Sequence, residues 1–199
     1  MKIRRMLIGP VTLAMVLSAA PLVAQEAKTE SGKSEQDWKN MKKEAKQQQV
    51  NATAGAALDT LLKGNPKAKE LYDKAYGWAA FDNLKIGIVI SGGGGKGVAV
   101  AKVTKKHTYM SVGSAGVGLT FGGKKYQVVF LFQDSKTFKS FVTKGWQATA
   151  AASAEAGKAG GGAQTGFQNG MAVYQIDAKG LMASADISGT KYKLDKELN

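Results

Sequence analysis

Between Ile86 and Phe132 one β-rich run follows another, with only glycine-rich or short polar breaks between them. That succession decides what the chain can fold into. Ile86–Ile90 is a short apolar run. Gly92 to Gly95 read as a turn, and Gly97–Val103 as a second strand. Met110–Phe121 alternates small and apolar residues, with Gly113, Gly116 and Gly118 inside it. Gly122-Gly123 mark another turn, and Tyr126–Phe132 is the strongest strand pattern in the chain. Strands joined this tightly must pair antiparallel, because a parallel pair needs a long crossover. Glycines inside strands point to strong curvature or close backbone approach.

Helical patterns flank this block. Ser34 reads as an N-cap with Asp37 three residues on, opening a helix that carries Trp38, Met41 and Ala45 on one face and Lys39, Lys43 and Lys46 beside it. The pattern thins at Gln47-Gln48-Gln49 and resumes through Ala56, Leu58, Leu61 and Leu62 to Gly64. Pro66 opens a short helix that Gly77 closes. Asp134 caps a further helix, with Phe138, Phe141 and Val142 on one face and Gly145 at its end. A stretch of Ala, Gly, Ser and Thr from Ala148 to Gly166 follows, then a hairpin of Met171–Ile176 and Leu181–Ile187. The order is helices, strands, one helix, strands. The expected fold is therefore α+β: a curled, mainly antiparallel, half-barrel-like sheet with N-terminal helices and one helix between strands.

The first residues have another logic. Lys2, Arg4 and Arg5 precede an apolar run from Met6 to Ala24 that ends in small residues. This is the layout of a secretory signal peptide, with cleavage expected after Ala24; an uncleaved anchor is the rival reading. Residues 25–37 are polar and without periodicity, so 25–49 is read as a tether and the start of the N-terminal helix, and 50–199 as one domain. The chain contains no cysteine. That removes a lipid-modified cysteine, disulfides and thiolate chemistry together, and leaves burial to hold an exported domain.

The chain carries 28 Lys+Arg against 15 Asp+Glu, a net charge of +13. Arginine occurs only at Arg4 and Arg5, so all the basic charge after the leader is lysine. Arginine is the preferred fork for bases and phosphates held in fixed geometry, so nucleic acid is disfavoured. Mobile lysines suit a diffuse anionic surface such as lipid headgroups. A lysine coat that serves only solubility is the plainer alternative.

Gly92, Gly94 and Gly97 satisfy G-x-G-x-x-G, but a strand pattern follows where a dinucleotide site needs a helix N-terminus. Gly95-Lys96 resembles the end of a phosphate loop, yet Gly97 stands where Ser or Thr is required. A glycine turn at Gly94 and Gly95 with Lys96 beside it could instead form an anion nest for a lipid phosphate. His107 is the only histidine and lies beside Lys105 and Lys106. No metal set, no catalytic set and no cofactor can be argued from these residues. Trp38 with Lys39, Lys43 and Lys46 has the form of an interfacial helix; ordinary packing on the sheet is the competing reading.

Six blocks in order resemble a known family. Asn65-Pro66 through Ala75, Gly77 and Phe81 are similar to its opening, and Ile88–Val100 to its glycine-rich signature. Gly113–Gly122 (GSAGVGLTFG), Val128–Phe141, Gly145–Gly157, and Tyr174 with Gly180-Leu181 and Gly189 resemble the blocks that follow. This is the SYLF family, matched over roughly residues 50–192. Thr108–Ser111 lacks the usual Pro, and Tyr192-Lys-Leu lacks the paired tyrosines and Gly often found there. The resemblance implies a lipid-binding module with no known enzymatic activity, whose lipid-binding region is usually placed at the N-terminal end of the domain. Eukaryotic relatives bind phosphoinositides and some fungal members bind actin; neither is expected in a bacterial envelope.

The expectation is an exported periplasmic or envelope protein, peripheral to the membrane, that binds anionic phospholipid without catalysis. Trp38, Lys39, Lys43, Lys46, Gly94, Gly95 and Lys96 are the candidate contacts. A structural or protein-interaction component of the envelope, with an envelope protein as partner, is the alternative.

Overall fold

The computed structural model describes residues 20–87, 90–117, 122–148, 166–177, 180–181 and 189–199. The Ala/Gly stretch over 149–165, most of the expected strand Leu181–Ile187 and the leader residues 1–19 lie outside the described residues. The elements in chain order are α1 (Ala20–Gly64), α2 (Pro66–Lys74), β1 (Gly77–Gly87), β2 (Ile90–Ala101), β3 (His107–Val117), β4 (Gly122–Phe132), α3 (Ser135–Lys144), β5 (Trp146–Gln147), β6 (Met171–Asp177), β7 (Gly180–Leu181) and β8 (Thr190–Leu194). The strands form one antiparallel sheet in the order β5-β8-β3-β2-β1-β4-β6-β7. Helices first, then strands, one helix and more strands: the fold is α+β, as the pattern implied.

The chain divides into two compact units, Met1–Met41 and Lys42–Asn199. In the first, the segment 25–37 expected as a tether is helical, and Ser34 lies inside α1, not at its start. Its Glu, Lys, Gln and Ala are good helix formers. What it lacks is an apolar stripe, and periodicity reports a buried face, not a helix. Lys39 pairs with Glu35 at 2.7 Å one turn away.

The second unit has a core on each face of the sheet. Along β1, Ala79 and Phe81 face one side and Ala80 the other, as strand alternation requires. Ala57, Leu58 and Leu61 of α1, with Ala68 and Leu71 of α2, cover the side of Ala80, Val98, Val129 and Leu131. Asn65 caps α2, its side chain accepting from the Ala68 N–H at 3.0 Å, with Pro66 in the first turn. On the opposite face Phe138, Phe141 and Val142 of α3 pack on Phe81, Phe130 and Phe132. Asp134 caps α3 by accepting from the Thr137 N–H at 2.8 Å, and Gly145 ends it at φ 75°. The spacing had predicted both.

Curvature follows from the rings on this second face. β8 lies three strands from β1 in the sheet order, about 14 Å away if the sheet were flat. Yet the Tyr192 ring centroid is 4.6 Å from that of Phe81 and 5.0 Å from that of Phe130. Only a sheet curled around these rings permits that. Phe81 is in register with Gly97 on β2. A Cβ at Gly97 would collide with the Phe81 ring and the Ala80 carbonyl.

Two strand assignments differ from expectation. Gly92 to Gly95 form no turn: they lie inside β2, paired with β1 on one side and β3 on the other. Their amides serve a central strand, so the anion nest is overturned. Backbone ladders need no side chain, and flanking partners hold a glycine run that propensity alone would break. β8 carries no strong β pattern and is a strand because β3 and β5 pair with it.

The segment after β8 is tied down thoroughly. Lys96 pairs with Asp195, whose side chain is only 4% exposed. The same carboxylate accepts from the N–H groups of Glu197 and Leu198. Asn199 exchanges hydrogen bonds with the backbone of Tyr109. Lys43 and Gln47 of α1 donate to the carbonyls of Asn199 and Leu198, each at 2.7 Å. Burial by itself pushes the Asp195 carboxyl up. The hydrogen bond and charge of Lys96, with the two N–H groups, outweigh it and hold the group below its ordinary value.

Two outcomes are expected. Gly97→Ala should destabilise the protein by about 1–3 kcal/mol in urea unfolding, whereas Gly55→Ala, where a Cβ meets nothing within 4 Å in mid-helix, should stabilise it by up to about 1 kcal/mol. Equal effects at the two sites would remove the steric role given to Gly97. Asp195→Asn should cost about 1–2 kcal/mol at pH 7, because Lys96 is partly exposed. Since the folded carboxyl titrates low, its stabilisation is complete above an ordinary Asp value of about 3.9 and is lost as pH falls through the folded value. The gap between variant and wild type should therefore narrow toward pH 3; a gap independent of pH would show that the charge contributes nothing.

Candidate functional site

α1 crosses the sheet above a place where one floor position, Gly94, has no side chain. Val50 and Ala54 recur at one-turn spacing after Lys46, with Gln49 and Thr53 beside them. Beneath them are Ala80, Asp82 and Leu84 of β1, Gly94 and Lys96 of β2, and Lys125 of β4. Leu84 is in register with Gly94 on one side and Lys125 on the other, and Asp82 with Lys96. A Cβ at Gly94 would meet only the Val112 carbonyl, at 3.4 Å. The result is a cavity of about 340 Å³, closed at one end by Leu198.

Its chemistry is graded by depth. Ala54, Ala80 and Leu198 are 4%, 0% and 2% exposed and back it, while half-buried Val50 presents apolar surface to it. Lys46, Lys125 and Asp82 are exposed at the rim with Leu84. Among the described residues neither Lys46 nor Lys125 has an ion-pair partner, while Lys96 is engaged by Asp195. Two cations without an ion-pair partner among the described residues, facing a single carboxylate at the same rim, can hold an anionic group whose remainder is apolar.

Of the residues expected to bind, the structure gathers Lys46, Gly94, Gly95 and Lys96 around this cavity. Gly95 and Asn83, out of phase with Gly94 and Leu84, border it with their backbone, since alternation points their Cβ positions to the other face. Lys43 belongs to the same unit but is spent on the Asn199 carbonyl. Trp38 and Lys39 stand in the first unit; Trp38 is 56% exposed and Met41 62%, so neither is packed as an ordinary core face would be. Lys125, Leu84, Val50 and Leu198 were not foreseen. The spacing of Lys46, Val50 and Ala54 was a readable signal; Lys125 and Leu198 are brought in by register and by the strap after β8.

Catalytic chemistry finds little to build on. His107 opens β3, exposed, with Nδ1 3.0 Å from Asn51 Oδ1. Among the described residues no group of three or more His, Cys, Asp or Glu could hold a metal ion. Burial pushes the Tyr174 hydroxyl up to about 12 and raises that of Tyr192 well above its ordinary value. Both are sealed in the core. Among the described residues no helix is long and apolar enough to cross a membrane.

Comparison with known proteins agrees with the fold. Residues 113–199 match the family model Ysc84, described as "Las17-binding protein actin regulator". The chain is 46% identical over 149 residues to beta cell expansion factor A of Aeromonas veronii, an alignment covering 75% of this chain and 57% of that protein. The chain thus spans less than two thirds of that relative's length. The matches and the curled α+β sheet agree: this chain carries a SYLF-family domain, matched over residues 113–199, and that family is not a known enzyme family.

Proposed function

We propose that this chain is an exported protein of a bacterial envelope that binds anionic phospholipid at the membrane surface and catalyses nothing. One observation carries the reading: Lys46 and Lys125, without ion-pair partners among the described residues, stand with Lys96 over an apolar cavity. Without Lys2, Arg4 and Arg5 of the leader, the +13 of the chain falls to +10, and this charge supplies the long-range attraction. Trp38 and Met41, exposed on α1 beside lysines, add an interfacial element of the kind that lies in a headgroup layer. Family membership supports lipid binding in general and leaves the headgroup open.

A protein partner is the second reading. It is favoured by the family description, which names Las17 binding and actin regulation. In an envelope neither is at hand, so the partner would be another envelope protein. Stoichiometric recovery of one from detergent-free extract, with no lipid requirement, would favour this reading.

Co-sedimentation with vesicles tests the first. Binding to vesicles containing phosphatidylglycerol should exceed binding to pure phosphatidylcholine, and should fade as salt shortens the screening length to about 8 Å near 0.15 M. Lys46→Gln with Lys125→Gln should weaken it about tenfold or more. Equal binding to anionic and neutral vesicles at low salt would end the proposal. Export predicts that protein recovered from the envelope begins at Gln25; a full-length chain in the membrane fraction would show a retained anchor instead.

A further inference from the structure

We infer that the cavity under α1 receives a single alkyl chain whose anionic head rests at the lysine rim. The inference deepens the phospholipid reading and rests on it for the source of the chain. A cationic patch that only adsorbs to headgroups has no use for a hollow. This one is backed by Ala54, Ala80 and Leu198, all nearly excluded from solvent, offers its apolar surface through Val50, Gly94 and Leu84, and carries its charges at the mouth. The polarity gradient is that of an amphiphile seated head outward.

Gly94 makes the space. On the same face of the sheet β2 carries Lys96 next and then Val98, which with Val129 across Ala80 is fully buried under α1 and α2. At Gly94 the sheet continues with the same register but contributes no side chain, and only the Val112 carbonyl lies near. Leu84, beside it in register, is 38% exposed, a large apolar side chain at the mouth. About 340 Å³ sits at the lower end of small-molecule pockets, a size for one chain and not for a pair. The head must be anionic because Lys46 and Lys125 face the opening without ion-pair partners among the described residues, and Asp82 at the rim disfavours a bulky polyanion.

Two sources share this chemistry: a free fatty acid, and one chain of a membrane lipid drawn up from the bilayer. Calorimetric titration of the purified full chain with octanoate, decanoate and dodecanoate below their micelle concentrations tests the seat itself. Affinity should rise about fourfold per methylene until the cavity is full and then level off, at one ligand per chain, and dodecyltrimethylammonium should not compete. Gly94→Leu should fill the cavity from the floor and Val50→Phe from the roof; each should weaken dodecanoate binding more than tenfold with an unchanged melting profile. Two filling variants from different elements guard against one misfolding.

Vesicles separate the sources. If a membrane chain enters, phosphatidylglycerol vesicles should displace dodecanoate, and the filling variants should lose vesicle binding at 0.3 M salt. If the ligand is a free fatty acid, vesicle binding should be unaffected by filling. Dodecanoate binding that ignores chain length, or that survives both filling variants, overturns the inference even if anionic vesicles bind. Absence of vesicle binding with dodecanoate binding intact overturns the phospholipid reading and leaves the seat standing.

Discussion

The ring of Phe81 lying over Gly97 holds this molecule in its shape. Phe81 must cross its own neighbour strand to reach Tyr192, and it can do so only because β2 offers bare backbone beneath it. Tyr192, Phe130, Phe141 and Trp146 then close around the same point. This aromatic knot forces strands at opposite ends of the sheet toward each other. A flat sheet would leave β8 and β4 about 19 Å apart, four strand spacings. The curl is thus caused by side-chain packing on one face, and the other face inherits its form.

On that other face the cavity is where packing stops. Val98 and Val129 fill the space under the helices, and further along β2 on the same face, beyond Lys96, Gly94 does not. The strap after β8 completes the wall: Asp195 fixes its start against Lys96 and Leu198 closes the end. Lys96 therefore has a structural duty before any ligand arrives. Lys46 and Lys125 carry charge that the described fold leaves uncompensated, and this difference ranks the three lysines.

Much of this was legible from the residues. Asp134, Pro66 and Gly145 marked helix ends because capping is local chemistry. Tyr126–Phe132 announced a strand because its apolar run is continuous and both its faces are buried. The glycine run misled, because local propensity speaks for a turn while β1 and β3 supply ladder partners more than local. Residues 25–37 misled for the converse reason: a helix with no buried face shows no periodicity. Four of the seven candidate contacts, Lys46, Gly94, Gly95 and Lys96, line the cavity, and the two lysines stood out as charge near an apolar pattern. Lys125 and Leu198 could not be, since their place depends on register and on chain that comes much later.

That last point bears on when the cavity exists. Gln47 and Leu198, on its roof and its end wall, are joined across 151 residues. β8, which supplies Tyr192 to the knot, also comes after nearly all of the sheet. A chain emerging from its N-terminus holds the roof first, the floor next and the closing wall last. Long-range closure of this kind is slow compared with helix formation. The hollow is therefore a late product of folding: a chain held extended, as during passage through a translocation channel, carries its lysines but has nowhere to seat an alkyl tail.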